Sequence, residues 1–205
     1  MHLERIKSIY HNSPLASQEV FACSPEEVAL LEKKLDLGYP LPEIYKEFLL
    51  WMGKGAGSLL KDCDFFYQDL MMRGEFDMQK LPEELLAECN CPLHMPNDGF
   101  VFYSRLGAKF AFLRLSEGNE SPVYYFSEEF ESFESYFPRT DTPALGEGET
   151  IKTMKSFPIY KFRNKSCKFD HFLALKINGY SKYLMKDSER RDLPDFLAYW
   201  ESQFQ

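Results

Sequence analysis

Two sets of helix start and stop signals follow one another closely near the beginning of the chain. Ser24 offers a capping hydroxyl, and Pro25 suits the first helical position. The Glu27 carboxylate can accept a hydrogen bond from a free amide at the helix start and interacts favourably with the helix dipole. Apolar residues recur at helical spacing in Val28, Leu31 and Leu35. Gly38 tolerates the left-handed conformation in which helices often end. We therefore predict a first helix at about residues 24–37.

The second set of signals follows after a short loop. Leu41, Pro42 and Glu43 again place a proline at a helix start, and Gly53 closes the segment. The apolar residues between these signals are Ile44, Tyr45, Phe48, Leu49, Trp51 and Met52. They cover a face that is too wide for an exposed helix. We therefore expect this helix to be packed into a core.

The middle of the chain changes from helical to strand-like patterns. Phe100–Tyr103, Phe110–Leu115 and Val123–Phe126 are short aromatic-rich runs joined by turn residues, which predicts an antiparallel meander. A mixed aromatic run at Leu59–Leu70 favours another short strand. The segment Pro82–Cys89 is typical of a helix with proline at its start.

The spacing of four phenylalanines predicts a helix at residues 127–137, which Pro138 ends. These phenylalanines are Phe126, Phe130, Phe133 and Phe137. Residues 140–150 are rich in Thr, Gly, Pro and Glu and have no apolar periodicity, which is typical of a linker. We therefore place a boundary at residues 138–150.

Beyond the linker we predict a hairpin and a final helix. The dipeptide Asn178-Gly179 suits a type I′ turn between strands at Phe172–Ile177 and Tyr180–Met185. Pro194 then opens a helix with an amphipathic face. The predicted organisation is a lead-in segment at 1–23, a domain at 24–137, a linker or loop at 138–150, and a C-terminal extension at 151–205 that packs on the domain.

The composition is that of a globular protein, and its cysteines indicate a reducing compartment. Apolar residues make up 44% of the chain and aromatic residues 16%, which is enough for a core without disulfide bonds. The cysteines are odd in number and lack framework spacing, so we interpret them as reduced thiols. They are Cys23, Cys63, Cys89, Cys91 and Cys167. The first residues lack an apolar signal sequence, and we expect a cytoplasmic protein.

The net charge of −8 is unevenly distributed along the chain. Acidic residues outnumber basic ones up to Phe137, whereas basic residues are slightly in excess after it. An acidic surface repels nucleic acid and attracts basic proteins, so we expect a protein partner. Acidic residues that crowd predicted loops and exposed faces are the candidate partner-binding set: Asp62, Asp64, Asp69, Glu117, Glu120, Glu128 and Glu129.

Patterns for catalysis and for metal or cofactor binding are weak. Gly53–Ser58 is glycine-rich, but it follows a helix and lacks the spacing of a phosphate-binding loop. Cys89, Cys91 and His94 fall short of a closed zinc site. The histidines are scattered, and the Gly-x-Ser-x-Gly motif of hydrolases is missing from the sequence. We therefore predict no metal, no cofactor, no small-molecule substrate, no enzymatic activity and no membrane span.

One succession of residues resembles a known family. Its first part is Glu32, Leu37, Gly38, Leu41, Pro42, Tyr45, Phe48 and Leu49, followed by Gly53, Gly55 and Gly57. Its later parts are Pro122–Phe126 and Ser132–Phe137. This order is similar to the N-terminal signature, the late strand and the closing helix of the SUKH superfamily, and it covers about residues 24–137. The resemblance implies an α+β fold, with helices on an antiparallel sheet, and no catalytic residues.

The motif residues have a structural interpretation. We expect Gly38 to end one helix, Pro42 to start the next, Tyr45 and Phe48 to fill the core, and the following glycines to permit a sharp return of the chain. The structural set is Gly38, Leu41, Pro42, Tyr45, Phe48, Leu49, Gly55 and Gly57. A motif of this kind identifies a fold, while function depends on sites built on it.

Three hypotheses for function follow. The resemblance implies either a bacterial immunity protein, which neutralises a cognate toxin such as a nuclease by binding it, or a regulatory scaffold in signalling or cell-wall synthesis that docks partners through residues 138–205. The third hypothesis is nucleic-acid binding through the basic and aromatic segment Lys152–Lys168. The alternative for that segment is a strand with Tyr160 and Phe162 turned inward. We favour the immunity protein.

Overall fold

The computed structural model describes residues 2–88, 94–106, 109–127, 161–162, 165–166 and 168–184. The helices in these residues are α1 (Glu4–His11), α2 (Pro25–Leu35), α3 (Glu43–Met52), α4 (Tyr67–Met71), α5 (Leu81–Glu88) and α6 (Phe169–Leu184). The strands are β1 (Val20–Phe21), β2 (Gly55–Ala56), β3 (Gly99–Arg105), β4 (Lys109–Arg114), β5 (Tyr124–Ser127), β6 (Lys161–Phe162) and β7 (Lys165–Ser166). Helices combined with small antiparallel sheets confirm the predicted α+β class.

Helix α2 begins with the predicted capping box. The Glu27 amide donates to Ser24 Oγ over 3.3 Å, and the Ser24 amide donates to Glu27 Oε2 over 2.8 Å. The helix ends at Leu35, and the left-handed residue at its end is Asp36, with φ of 48°. Gly38 has φ of 74° two residues later. The prediction for this helix is confirmed, but its end lies before Gly38 because Asp36 takes the left-handed conformation itself.

Helix α3 presents the predicted wide apolar face. Ile44, Tyr45, Phe48, Leu49 and Met52 are buried on it. Gly53 follows, and a side chain there would clash with the Leu49 backbone and with Cys23. The absence of a Cβ therefore lets the chain pass close to the preceding helix.

The glycines after α3 form the predicted return of the chain. Strand β2 pairs antiparallel with β1, so that Ala56 lies opposite Val20 and Gly55 lies opposite Phe21. Gly57 has φ of 56°, and a Cβ there would overlap the Gln18 side chain. This turn brings the segment before α2 against the segment after α3.

The strand predicted within Leu59–Leu70 is wrong. The segment contains turns, a backbone bridge between Asp64 and Ser104, and the short helix α4. The Asp69 carboxylate accepts hydrogen bonds from the amides of Phe65 and Phe66, each over 2.9 Å. Because these bonds satisfy amides at the start of a helix, the local polar contact overrides the aromatic strand pattern.

The predicted meander is confirmed. Strands β3, β4 and β5 form an antiparallel sheet in that order, with Phe100 opposite Leu113 and Phe110 opposite Phe126. A bulge interrupts β3 between Val101 and Tyr103. The sheet carries buried aromatic side chains throughout: Phe100, Phe102, Tyr103, Phe110, Phe112 and Phe126.

The core lies between α3, this sheet and α6. Tyr45 has its ring centroid 5.0 Å from that of Phe100 and 4.9 Å from that of Phe169, both in edge-to-face arrangements. The Phe102 and Phe172 rings are 5.1 Å apart. Such aromatic pairs add roughly 0.5–1.5 kcal/mol each beyond the burial of their area. The motif residue Tyr45 thus joins all three layers of the core.

The hairpin predicted around Asn178-Gly179 is wrong, because the whole segment from Phe169 to Leu184 is helix α6. Its buried residues, Phe169, Phe172, Leu173, Ala174, Ile177 and Ser181, follow helical spacing. The Asn178 side-chain amide donates to the Ala174 carbonyl over 3.0 Å within the helix. Packing of this apolar face on the core overrides the local preference of Asn-Gly for a turn.

The segment before residue 24, predicted as a lead-in, contributes a packed helix. Leu3, Ile6 and Tyr10 of the α1 region are buried, and α1 contacts α6. The N-cap residue of α1 is Leu3, whose side chain makes no cap bond. Glu47 of α3 supplies one instead, because its Oε2 accepts from the His2 amide over 2.7 Å and from the Leu3 amide over 3.3 Å.

Several sequence predictions fall outside the described residues. They are the helix at 127–137, of which only Ser127 is described, as the end of β5, together with the linker at 138–150 and the helix opened by Pro194. Of the basic segment Lys152–Lys168, the described part includes the antiparallel pair β6 and β7. The proposed organisation into a domain and an extension stays a prediction.

Candidate functional site

A groove of about 420 Å³ opens beside α4 and the start of α5. Its lining combines carboxylates with apolar side chains: Asp64, Asp69, Met72, Phe76, Asp77, Met78, Leu81, Glu84 and Ser104. We call this feature the acidic groove. Asp64 and Asp69 belong to the predicted partner-binding set, so the structure brings these two residues together.

The outer wall of the acidic groove is held in place by contacts with α2. Lys34 Nζ donates to the Met71 carbonyl, and Arg73 donates to the Lys34 carbonyl over 2.9 Å. The Arg73 guanidinium also binds Asp77 through both carboxylate oxygens at 3.0 Å. Gly74 takes φ of 80° in the turn between them, which favours glycine. The segment that carries Met72 and Phe76 is therefore fixed at both ends.

Two large apolar side chains of this wall are exposed. Phe76 is 74% exposed and Met72 is 47% exposed, whereas Met78 of the same lining is buried. A phenylalanine gains roughly 1.5–3 kcal/mol when it leaves water, so its exposure in a fixed turn is unfavourable without a partner. An exposed apolar patch bordered by charged residues is typical of an interaction site.

The carboxylates of the acidic groove fall into two groups. Asp69 caps α4, and Asp77 is paired with Arg73. Within the described part of the chain, Asp64 and Glu84 form no ion pair. Burial raises the pKa of Asp64, the Asp69 charge raises it further, and a hydrogen bond from Ser104 opposes both effects. Asp64 and Glu84 are therefore the carboxylates that a cationic partner could neutralise.

The other predicted partner-binding residues lie elsewhere. Asp62 binds Arg105 over 2.9 Å and accepts a hydrogen bond from Tyr180, which is the first cause of its lowered pKa. Glu117 accepts a bond from the Tyr124 hydroxyl over 3.2 Å, and Glu120 pairs with Lys168 over 2.6 Å. Glu117 and Glu120 follow the end of β4. Lys109, which pairs with Arg105, lies at the other end of that strand.

The remaining members of the predicted set, Glu128 and Glu129, lie outside the described residues. Among the members that are described, Asp64 and Asp69 share one surface feature. The sequence argument missed Met72, Phe76 and Glu84, which complete the groove. An isolated phenylalanine in the polar run Arg73-Gly74-Glu75-Phe76-Asp77 was the available signal.

The structural motif residues lie where the fold needs them. Leu41, Pro42, Tyr45, Phe48 and Leu49 are buried, which places them in the core. Gly38 and Gly57 are exposed turn residues with positive φ, and Gly55 lies in β2. These residues build the frame that carries the groove and lie apart from its lining.

Other candidate chemistry does not assemble in the described ranges. No group of three or more His, Cys, Asp or Glu side chains there could hold a metal ion. Of the candidate metal ligands, Cys89 and Cys91 fall outside those ranges, while His94 is exposed. The glycine-rich Gly53–Ser58 segment contains β2 and its turn.

Among the helices that the structure describes, none has both the length and the hydropathy needed to cross a bilayer.

Comparison with protein families identifies the chain. Residues 22–144 match the SMI1 / KNR4 family (SUKH-1), and this match covers more than half of the sequence. The protein therefore belongs to that family, and the predicted SUKH resemblance is confirmed. The superfamily includes immunity proteins and cell-wall regulators, and its members are generally non-enzymatic. Comparisons with curated proteins and with solved structures found no match.

Proposed function

We propose that this protein is a non-enzymatic immunity protein, and that its acidic groove binds a basic segment of a cognate toxin. The observation that carries this proposal is the combination of exposed Phe76 and Met72 with two carboxylates, Asp64 and Glu84, that form no ion pair with another described residue. The SUKH family supports a protein-binding role.

The groove fits the chemistry of an arginine or lysine side chain. The aliphatic stem of such a residue packs on apolar surface, while its charged end reaches a carboxylate. Phe76 and Met72 offer the apolar surface, and Asp64 and Glu84 offer the carboxylates. Arginine is favoured because its guanidinium binds a carboxylate with two hydrogen bonds and stacks on aromatic rings.

The overall charge supports a basic partner. The chain has a net charge of −8, and a toxin that cleaves nucleic acid needs a positive surface to bind phosphates. Opposite charges accelerate encounter, to about 10⁸–10⁹ M⁻¹s⁻¹ at low salt in favourable cases. Binding of the groove to the toxin surface would exclude the substrate without any turnover by this protein.

Site-specific photo-crosslinking tests whether the groove is the binding surface. A benzoyl-phenylalanine would replace Phe76 in the full-length protein, and the matched control would carry it at Phe21, which is 49% exposed on β1. We expect a basic protein from the native lysate to be crosslinked at position 76 and not at position 21. Equal crosslinking at both positions would contradict a specific groove.

A growth-rescue assay tests the function itself. The crosslinked partner would be expressed in cells with the wild-type protein, with the double variant Asp64→Lys, Glu84→Lys, or with the control variant Glu117→Lys. We expect the partner to arrest growth, the wild type and the control to rescue it, and the double variant to fail while remaining folded. A partner that does not impair growth would refute the immunity role.

The scaffold alternative gives a different result in the same experiments. Crosslinked proteins of cell-wall synthesis, none of which arrests growth, would favour a regulatory scaffold. Deletion of residues 138–205 would then abolish binding, whereas the immunity proposal requires an intact acidic groove. Binding to a nucleic-acid fragment at low salt, tested with the full-length protein, checks the third hypothesis.

A further inference from the structure

A second polar cluster forms where α6 meets the β3–β4 hairpin. Lys176 of α6 lies with its Nζ 4.2 Å from the ring centroid of Tyr103 and 5.0 Å from that of Phe172. The same nitrogen donates to the Tyr103 hydroxyl over 3.1 Å. Among the described residues no carboxylate forms an ion pair with it. Lys176 is therefore a half-buried amine held against two aromatic rings.

Two further cations lie at the same end of the sheet, and their charges act on Lys176. Arg105 and Lys109 are paired residues of β3 and β4. Tyr103 and Arg105 are two positions apart on β3, after the bulge, which places both side chains on one face of the strand. Asp62 binds Arg105 and accepts a bond from Tyr180. We call Arg105, Lys109 and Lys176 the cationic corner.

This environment disfavours the charged form of Lys176. Burial lowers its pKa to about 8; the Arg105 and Lys109 charges act in the same direction, while Cys63 and Asp62 act against it. At pH 7 roughly a tenth of such an amine is neutral, compared with roughly 0.03% for an ordinary lysine. A lysine that is desolvated and lies near another cation is a recognised type of nucleophile.

The thiol in the cluster is a poorer nucleophile than the amine. Cys63 Sγ lies 3.6 Å from the Tyr103 hydroxyl and 3.8 Å from that of Tyr180. Burial raises the pKa of the Cys63 thiol, and its hydrogen bonds with the two hydroxyls oppose that rise without cancelling it. The reactive thiolate is therefore disfavoured at neutral pH.

We propose that Lys176 is a covalent binding site for small phosphorylated aldehydes, whose phosphate is held by Arg105 and Lys109. The neutral amine attacks the carbonyl carbon, a C–N bond forms, and the carbonyl oxygen takes a proton. The resulting carbinolamine loses water to give an imine. The reaction consumes one amine and one aldehyde, releases one water molecule and needs no oxidant or reductant. Phosphate is the anion that paired arginine and lysine side chains bind well.

Pyridoxal 5′-phosphate is a suitable probe. The full-length protein would be incubated with it at pH 7, reduced with borohydride to fix the imine, and digested for mass spectrometry. We expect Lys176 to be labelled at least ~10-fold more than exposed lysines such as Lys61, in line with its larger neutral fraction. Labelling that follows exposure, with Lys61 above Lys176, would overturn the proposal.

A second experiment separates the contribution of the amine to labelling from that of the phosphate contact. Pyridoxal lacks the phosphate, and we expect it to label Lys176 several-fold less than the phosphorylated probe. The double variant Arg105→Gln, Lys109→Gln should lose this preference, while Lys176→Arg should remove the label and leave Lys61 labelled. Equal labelling by both aldehydes in the wild-type protein would overturn the phosphate assignment.

The pH profile distinguishes this site from simple accessibility. Labelling of Lys176 should rise through about pH 8 and then level off, because the amine is then already neutral. A profile that keeps rising beyond pH 10, parallel to that of Lys61, would show that Lys176 is an ordinary lysine.

Discussion

The acidic groove and the cationic corner lie on the two sides of one short segment and handle charge in opposite ways. Asp64 of this segment lines the groove, whereas Asp62 binds Arg105 in the corner. The groove exposes apolar side chains beside carboxylates that a partner can neutralise. The corner instead removes water from an amine and so favours its neutral form. The comparison shows that one short segment can separate an exposed acidic surface from a buried amine whose pKa is lowered.

The largest effect on stability is expected at the cationic corner. We expect Lys176→Met to stabilise the protein at pH 7 by on the order of 2 kcal/mol, because burial of the ammonium is costly in the folded state. The folded-state pKa of about 8 lies below that of an unfolded lysine, so the cost is full below pH 8 and is lost as the pH rises toward about 10.5. Urea unfolding of both proteins at pH 7 and pH 10 measures the change. A variant that is less stable at pH 7 would show that the lysine is favourably paired.

The next test concerns the frame of the groove. Asp69→Ala removes the acceptor for the amides of Phe65 and Phe66, and we expect a loss of about 1–2 kcal/mol in the free energy of unfolding. Asp69→Asn keeps a neutral acceptor and should lose less. Urea unfolding of both variants gives the values. Equal losses would mean that the negative charge, and not the hydrogen bonds, stabilises α4.

A smaller effect tests the helix that carries Lys176. A Cβ built on Gly179 meets no atom within 4 Å, and the residue lies inside α6. We expect Gly179→Ala to stabilise the protein by about 0.5–1 kcal/mol, because alanine has the higher helix propensity. Thermal unfolding reports this as a higher Tm. In the type I′ turn that the sequence suggested, alanine would need a positive φ and would destabilise the protein.

The smallest effect concerns Asp64. Its pKa is raised by burial and by Asp69, so its charge is slightly unfavourable in the folded protein. We expect Asp64→Asn to stabilise the protein at neutral pH by a few tenths of a kcal/mol at most, because the residue as a whole is exposed and water screens most of the effect of its partial desolvation. The gain should fade as the pH falls through the folded-state pKa toward the ordinary value of an aspartate. Glu19→Gln is an exposed control outside any helix, and an equal gain in both variants would indicate a general charge effect.

Local signals in the sequence were sufficient where neighbouring residues satisfy the backbone. Ser24 and Glu27 cap α2 through bonds that span three residues, and the sequence predicted this helix. Helix α6 differs because its buried face depends on distant partners such as Tyr45 and Phe102. The helical spacing was present in the sequence, but Asn178-Gly179 carried more weight in the prediction. Tertiary packing decided the outcome.

The candidate site was predictable in part for a similar reason. The acidic loops pointed to Asp64 and Asp69, because acids in turns are usually exposed. The exposure of Phe76 results from contacts of Lys34 and Arg73 that fix its turn, and these contacts cross nearly forty residues. The low pKa of Lys176 likewise arises from elements distant in sequence. Neither property has a local sequence signature.

The hydrogen bonds of the Glu47 carboxylate have a consequence for the design of shorter fragments of this protein. This glutamate ties the amides of His2 and Leu3, just before α1, to α3, and α1 in turn contacts α6, yet both α1 and α6 lie outside the family-matched residues 22–144. A fragment cut at those limits would lose the residues that cover Tyr45 and Phe48 and would expose this aromatic surface to water. Expression boundaries taken from the family match would therefore yield an aggregation-prone polypeptide, whereas those that retain both helices preserve the hydrophobic centre.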